Sequence, residues 1–138
     1  MSRIDGVNEL MGSLESMEKL DGPLEKSIRK WTEYVRGEAV DLCPVDTGEL
    51  QQSIKATVDK KPEVTGIVYT EKEYAMYVEF GTGQRGEATN QDTSPEVKVS
   101  YSKTIQGQEA QPFMYPALNN NKERIMKGIK EDLQSAMK

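Results

Sequence analysis

The first 43 residues carry apolar side chains at three- and four-residue steps, and this pattern constrains the fold more than any other feature of the chain. Ile4, Val7, Leu10, Met11, Leu14, Met17 and Leu20 form one stripe; Leu24, Ile28, Trp31, Val35, Ala39 and Leu42 form a second. Such spacing is that of an amphipathic helix. Asp21-Gly22-Pro23 stands between the stripes. Proline is tolerated in the first turn of a helix, so the expectation is one helix ending and a second opening at Pro23.

Beyond the turn expected at Pro44 to Gly48, the period changes. Ile54, Ala56 and Val58 alternate, Lys60-Lys61-Pro62-Glu63 interrupts, and Val64 to Thr70 is again rich in β-branched and aromatic residues. Two such runs around a short polar break predict an antiparallel hairpin. Tyr74, Tyr77, Val78 and Phe80 fit either a short helix or a strand. The stretch from Gly81 to Glu96 has the composition of a long mobile loop, and Val97, Val99 and Tyr101 suggest a third strand. A last helix is expected after Pro116, with Leu118, Ile125, Ile129, Leu133 and Met137 as its stripe. The fold class expected is α+β: long N-terminal helices and a C-terminal helix packed on a small, mainly antiparallel sheet. Residues 1–138 form one domain in this reading, with a mobile loop at about 81–96.

Composition then removes whole classes of function. The 138 residues include no histidine, which takes away the commonest general base and the commonest metal ligand. A net charge of −5 gives no global positive field for phosphate backbones, so tight nucleic-acid binding is not expected. Cys43 is the single cysteine, which points to a reducing compartment. No apolar run is long enough to span a membrane, and Met1 to Gly6 lacks a signal pattern, so synthesis in the cytoplasm without membrane association is expected.

Two short motifs suggest chemistry and fail on context. Asp46-Thr47-Gly48 spells the aspartic-protease triplet. That chemistry needs two carboxylates sharing a proton, hence two paired chains, in a fold that is nearly all β. Here the triplet ends a helical pattern, where a turn explains Asp and Gly. Gly81-Thr82-Gly83-Gln84-Arg85-Gly86 has dinucleotide-loop spacing, but that loop must open a helix, whereas Glu87 to Pro95 after it is not expected to be helical and the repeated βαβ units are lacking. Cys43 reads as a small buried residue, the methionines as packing, and Asp41, Asp46 and Glu49 as solvated carboxylates. No catalytic, cofactor-binding or metal-binding residue is assigned.

Three segments in order carry a resemblance: Cys43 to Ile54 (CPVDTGELQQSI), Tyr74 to Gly83 (YAMYVEFGTG) and Ala110 to Leu118 (AQPFMYPAL). Together they resemble the neck or tail-completion proteins of long-tailed bacteriophages and prophages, typified by the tenth gene product of a lambdoid coliphage. The chain departs from the commoner family residues at Cys43, Met76 and Tyr115. The resemblance implies a non-enzymatic virion component, made in the bacterial host cytoplasm, that assembles as a ring at the head–tail junction. Its implied partners are copies of itself and other phage head-completion and tail proteins. DNA passes through such an assembly without being gripped. The motif and interface residues it singles out are Pro44, Asp46, Thr47, Gly48, Leu50 and Ser53 in the first segment. In the second they are Tyr74, Tyr77, Glu79, Phe80, Gly81, Thr82 and Gly83, and in the third Gln111, Pro112, Phe113 and Pro116. The alternatives are a prophage-encoded module that binds a host partner and, further off, a dimeric aspartic protease acting through Asp46.

Overall fold

The computed structural model describes residues 3–46 and 48–137, with side chains from Leu20 onward. Helix α1 (Arg3–Leu42) leads into a short helix α2 (Glu49–Ser53) and strands β1 (Lys55–Asp59) and β2 (Thr65–Tyr69). Helices α3 (Ala75–Phe80), α4 (Gly83–Thr89), α5 (Met114–Asn119) and α6 (Lys122–Ala136) follow. The α+β class expected from the sequence is the one observed. None of the described helices is long and apolar enough to cross a membrane.

The two expected N-terminal helices are one. Pro23 lies inside α1, which at 1.5 Å per residue is about 60 Å long. A proline removes one main-chain hydrogen bond from a helix interior. The carbonyl left without its donor is that of Lys19, four residues before Pro23, and the helix continues through this one missing bond. The hairpin forms as expected, with Lys55 opposite Tyr69 and Asp59 opposite Thr65.

Three further expectations change. The ambiguous segment before Gly81 is helical, as α3. The stretch read as a loop contains α4, because its first N–H groups find acceptors on a distant segment: Gln84 N donates to Ile105 O at 3.1 Å and Arg85 N to Gln106 O at 2.9 Å. Val97 to Tyr101 joins no ladder among the described residues. Instead, the Tyr101 hydroxyl donates to Phe80 O at 2.8 Å and accepts from Asn90 Nδ2 at 3.2 Å. Tyr101 is thus anchored by its hydroxyl, while Val97 at the start of the run is 46% exposed. The C-terminal helix also divides, at Asn120 and Asn121, where Asn121 Nδ2 donates to Ala117 O at 2.8 Å.

The core is small. Val35, Ala39, Cys43, Leu50, Ile54, Ala75, Phe113 and Ala117 are its buried apolar members, and Phe113 is the only large side chain among the described residues that is wholly enclosed. On α1 the buried stripe runs Thr32, Val35, Ala39, Cys43; Leu42, expected on it, is 44% exposed because Cys43 takes the position four residues beyond Ala39. The C-terminal stripe is only partly covered as well, with Leu118 at 52% and Met137 at 68% exposure.

Two glycines set how closely other elements approach α1. A Cβ at Gly66 in β2 would overlap Thr32, and a Cβ at Gly128 in α6 would overlap the Trp31 indole. At the second crossing Asp132 clamps α6 to α1. It accepts from Ser27 Oγ at 2.7 Å, Trp31 Nε1 at 3.2 Å and Lys30 Nζ at 2.9 Å. The Lys30 and Ser27 hydrogen bonds hold the Asp132 carboxyl below the usual range, with burial opposing them.

If the indole fills the space over Gly128, Gly128→Val should lower the unfolding free energy by about 1–3 kcal/mol, the usual cost of overpacking. Denaturant unfolding measures this directly. A valine variant as stable as the parent would show that α6 does not cross α1 at Trp31.

Candidate functional site

The three motif segments meet in space, and one buried carboxylate joins two of them. Helix α5 begins at Met114, and no side chain of its own cap residue, Phe113, bonds to its first turn. The first four N–H groups of any helix lack partners within it. Here those positions are Phe113, Met114, Tyr115 and Pro116. Glu79 Oε1 accepts from Phe113 N and Met114 N, both at 2.9 Å, and Oε2 accepts from Tyr115 N at 3.1 Å. The fourth position is proline, which has no N–H to satisfy. A single carboxylate and a single proline thus complete the helix start.

Glu79 is 6% exposed. A buried carboxylate is costly unless hydrogen-bonded; three main-chain donors and the positive end of the helix supply that compensation. Among the described residues no buried side-chain N or O atom lacks a partner. The result is a latch between α3 and α5 that holds Phe113 in the core. Gln111 N donates to Val78 O at 2.8 Å and extends the same seam.

Cys43 lies in the core next to this charge. Burial pushes its thiol pKa up, and the Glu79 carboxylate adds to the effect. Its thiol donates to Pro44 O at 3.6 Å. A cysteine kept protonated is a poor nucleophile.

The glycines of the second segment serve close approach. Gly81 has φ +72°, and a Cβ there would come within 2.6 Å of Ala110 N and Gln108 O; Gly83, with φ +63°, faces Ile105 O in the same way. Thr82 N and Gln108 N complete a reciprocal bridge with each other's carbonyls at 2.9 and 3.0 Å. Although α4 does open after these glycines, the element before them is helix α3 and not a strand. The dinucleotide-loop arrangement is therefore absent here.

A second group of motif residues lies together, Leu50 among them buried in the core. Pro44, Asp46, Gly48, Leu50, Tyr74, Tyr77, Thr82 and Gln111 share a cleft of about 890 Å³ whose far wall is Ile105, Gly107 and Gln108. Tyr77 is 59% exposed and Tyr74 41%. Asp46 is exposed in the turn before α2, and Gly48 takes φ +81° there. The turn lies between two helices, with α2 intervening before the expected strand. Thr47 lies outside the described residues. Ser53 Oγ sits 2.6 Å from Thr70 Oγ1 and ties α2 to the end of β2. Phe113 is enclosed like Glu79, and Phe80, Pro112 and Pro116 are half-buried.

Sequence reasoning grouped seventeen residues as one candidate interface; the structure separates an inner latch around Glu79 from an outer cleft, with Ser53, Gly81 and Gly83 in neither. It missed Gln51, whose Nε2 donates to Val40 O at 2.9 Å and caps the end of α1. It also missed Asp132. Gln51 stands within the first motif segment but was not singled out there, and Asp132 stands in no motif, with partners 101 to 105 positions away that no periodic signal marks.

Replacing Glu79 with alanine leaves three main-chain donors without a partner, and each buried unsatisfied group costs about 1–3 kcal/mol. Glu79→Ala should therefore lose about 3 kcal/mol or more in chemical denaturation. A loss below about 1 kcal/mol would mean that water already serves the start of α5.

No curated protein and no solved structure matches the chain. A family model described as "Bacteriophage HK97-gp10, putative tail-component" matches residues 8–81. The match takes in most of α1, the whole first motif segment, the hairpin and the second segment through Gly81, while the third segment, joined to it by Glu79, lies outside. With more than half its length covered, the chain belongs to this family of phage tail components.

Proposed function

We propose that the protein is a non-enzymatic subunit of a ring at the phage head–tail junction, built into the virion after synthesis in the host cytoplasm. The observation that carries the reading is surface left uncovered. The chain exposes 10199 Å², whereas a compact monomer of its mass, 15.5 kDa, exposes about 7200 Å². A standard protein interface covers about 800 Å² per partner. A ring subunit touches two neighbours, so the roughly 3000 Å² excess over the compact value suffices for both contacts.

The chemistry of the exposed residues supports association. Tyr74, Met76 and Tyr77 lie together on α3 and its cap and are all exposed. Aromatic and methionine side chains are enriched in interfaces. Tyr74 and Tyr77 line the motif cleft, which makes that cleft one face of a subunit contact or a seat for a neighbouring tail protein. A charge of −5 per copy, multiplied around a ring, disfavours a tight hold on passing DNA.

Native mass spectrometry with electron microscopy of the purified full chain tests the reading. Closed oligomers with a central opening, and weak, salt-sensitive duplex binding, are expected. A chain that stays monomeric at every concentration, or binds duplex tightly at physiological salt, would contradict it.

A further inference from the structure

We infer that the N-terminal half of α1 from one copy lies in an apolar groove of the next copy. This rests on the ring reading and names the surfaces that would close it. The groove, about 670 Å³, runs between α1, β2, α3, α5 and α6; Trp31, Ile67, Met76, Leu118, Ile125 and Ile129 are among its lining residues. Leu118 and Met76 remain 52% and 62% exposed at its walls. An apolar groove of this kind takes an amphipathic helix by its apolar stripe.

The same chain carries such a helix. Residues Ile4 to Leu20 hold seven apolar side chains at helical spacing, within the N-terminal half of a 40-residue helix. The main helical partner of α1 is α6, with 15 residues, which spans only about 22 Å of a helix about 60 Å long. The Asp132 and Gly128 contacts of α6 fall on Ser27, Lys30 and Trp31, in the C-terminal half of α1.

Charge selects the occupant. Residues 3–21 contain Asp5, Glu9, Glu15, Glu18 and Asp21 against Arg3 and Lys19, a net −3. Two such arms repel each other. The start of α6, which supplies the Ile125 and Ile129 wall, carries Lys122, Arg124, Lys127 and Lys130 against Glu123, a net +3, and these four cations are exposed. Opposite local charges steer the arm of one copy to the groove of another although both copies share the same overall sign. An arm-to-groove contact uses two different patches, and contacts of this head-to-tail type make a ring when the rotation between copies closes.

The test co-expresses two differently tagged full-length variants, Leu14→Cys and Leu118→Cys, and treats the assembled material with a short bismaleimide. Cys43 is buried with its thiol pKa raised, so the introduced thiols react first. Covalent products joining the two tags are expected, well above the yield when either variant is paired with the parent. Products that join Leu14→Cys chains only to each other, or oligomers that give no mixed product, would overturn the arm-to-groove contact while leaving the ring reading intact. A parent chain that is monomeric at all concentrations would overturn both.

Discussion

A single buried carboxylate fixes where the C-terminal third of the protein begins, and the Asp132 clamp holds its last helix to α1. Glu79 stands 34 to 36 residues from the three amides it accepts from, and through them it fixes where α5 starts. That position in turn places Phe113, the largest enclosed side chain, against α1. The core has few other bulky members, so a polar interaction does work here that apolar burial does in larger domains. Hydrogen bonds to a charged group are worth about 1.5–3 kcal/mol each when made and cost the donors' full desolvation when lost. In a chain with so small a core, the latch is a large share of what keeps the elements together.

The other constraint is closeness to the long helix. Gly66 and Gly128 bring β2 and α6 against α1 with no side chain between, while Thr32 and Trp31 fill the space from the α1 side. Close packing at those two crossings leaves the region between them, walled by the inner face of the hairpin and by Leu118, Ile125 and Ile129, open as a groove. The same sequence that is economical in its own core is thus generous in apolar surface. Such an imbalance suits a component of an assembly.

The sequence made the hairpin legible because alternation and a proline-containing break are local signals. It made α1 legible by period, but not its continuity, since the pattern on both sides of Pro23 is the same whether the helix stops or runs on. Helix α4 was not legible: Gly83 to Thr89 has poor intrinsic helix propensity, and its helix depends on acceptors at Ile105 and Gln106 that composition does not reveal. The motif residues were found as a set through family resemblance, but their division was hidden. Glu79 and Tyr77 are two positions apart in sequence, yet one is buried and the other exposed, and only the location of α5 decides which is which.

Hydrogen exchange of the unmodified protein tests the central role of Glu79 most directly. The amides of Phe113, Met114 and Tyr115 occupy a helix start, where exchange is ordinarily fast because no intrahelical bond protects them. If the carboxylate holds the fold together, these three amides exchange only with global unfolding, as slowly as the core amides of Val35 and Ala39. Exchange of the three at rates typical of frayed helix ends, while Val35 and Ala39 stay protected, would contradict the account.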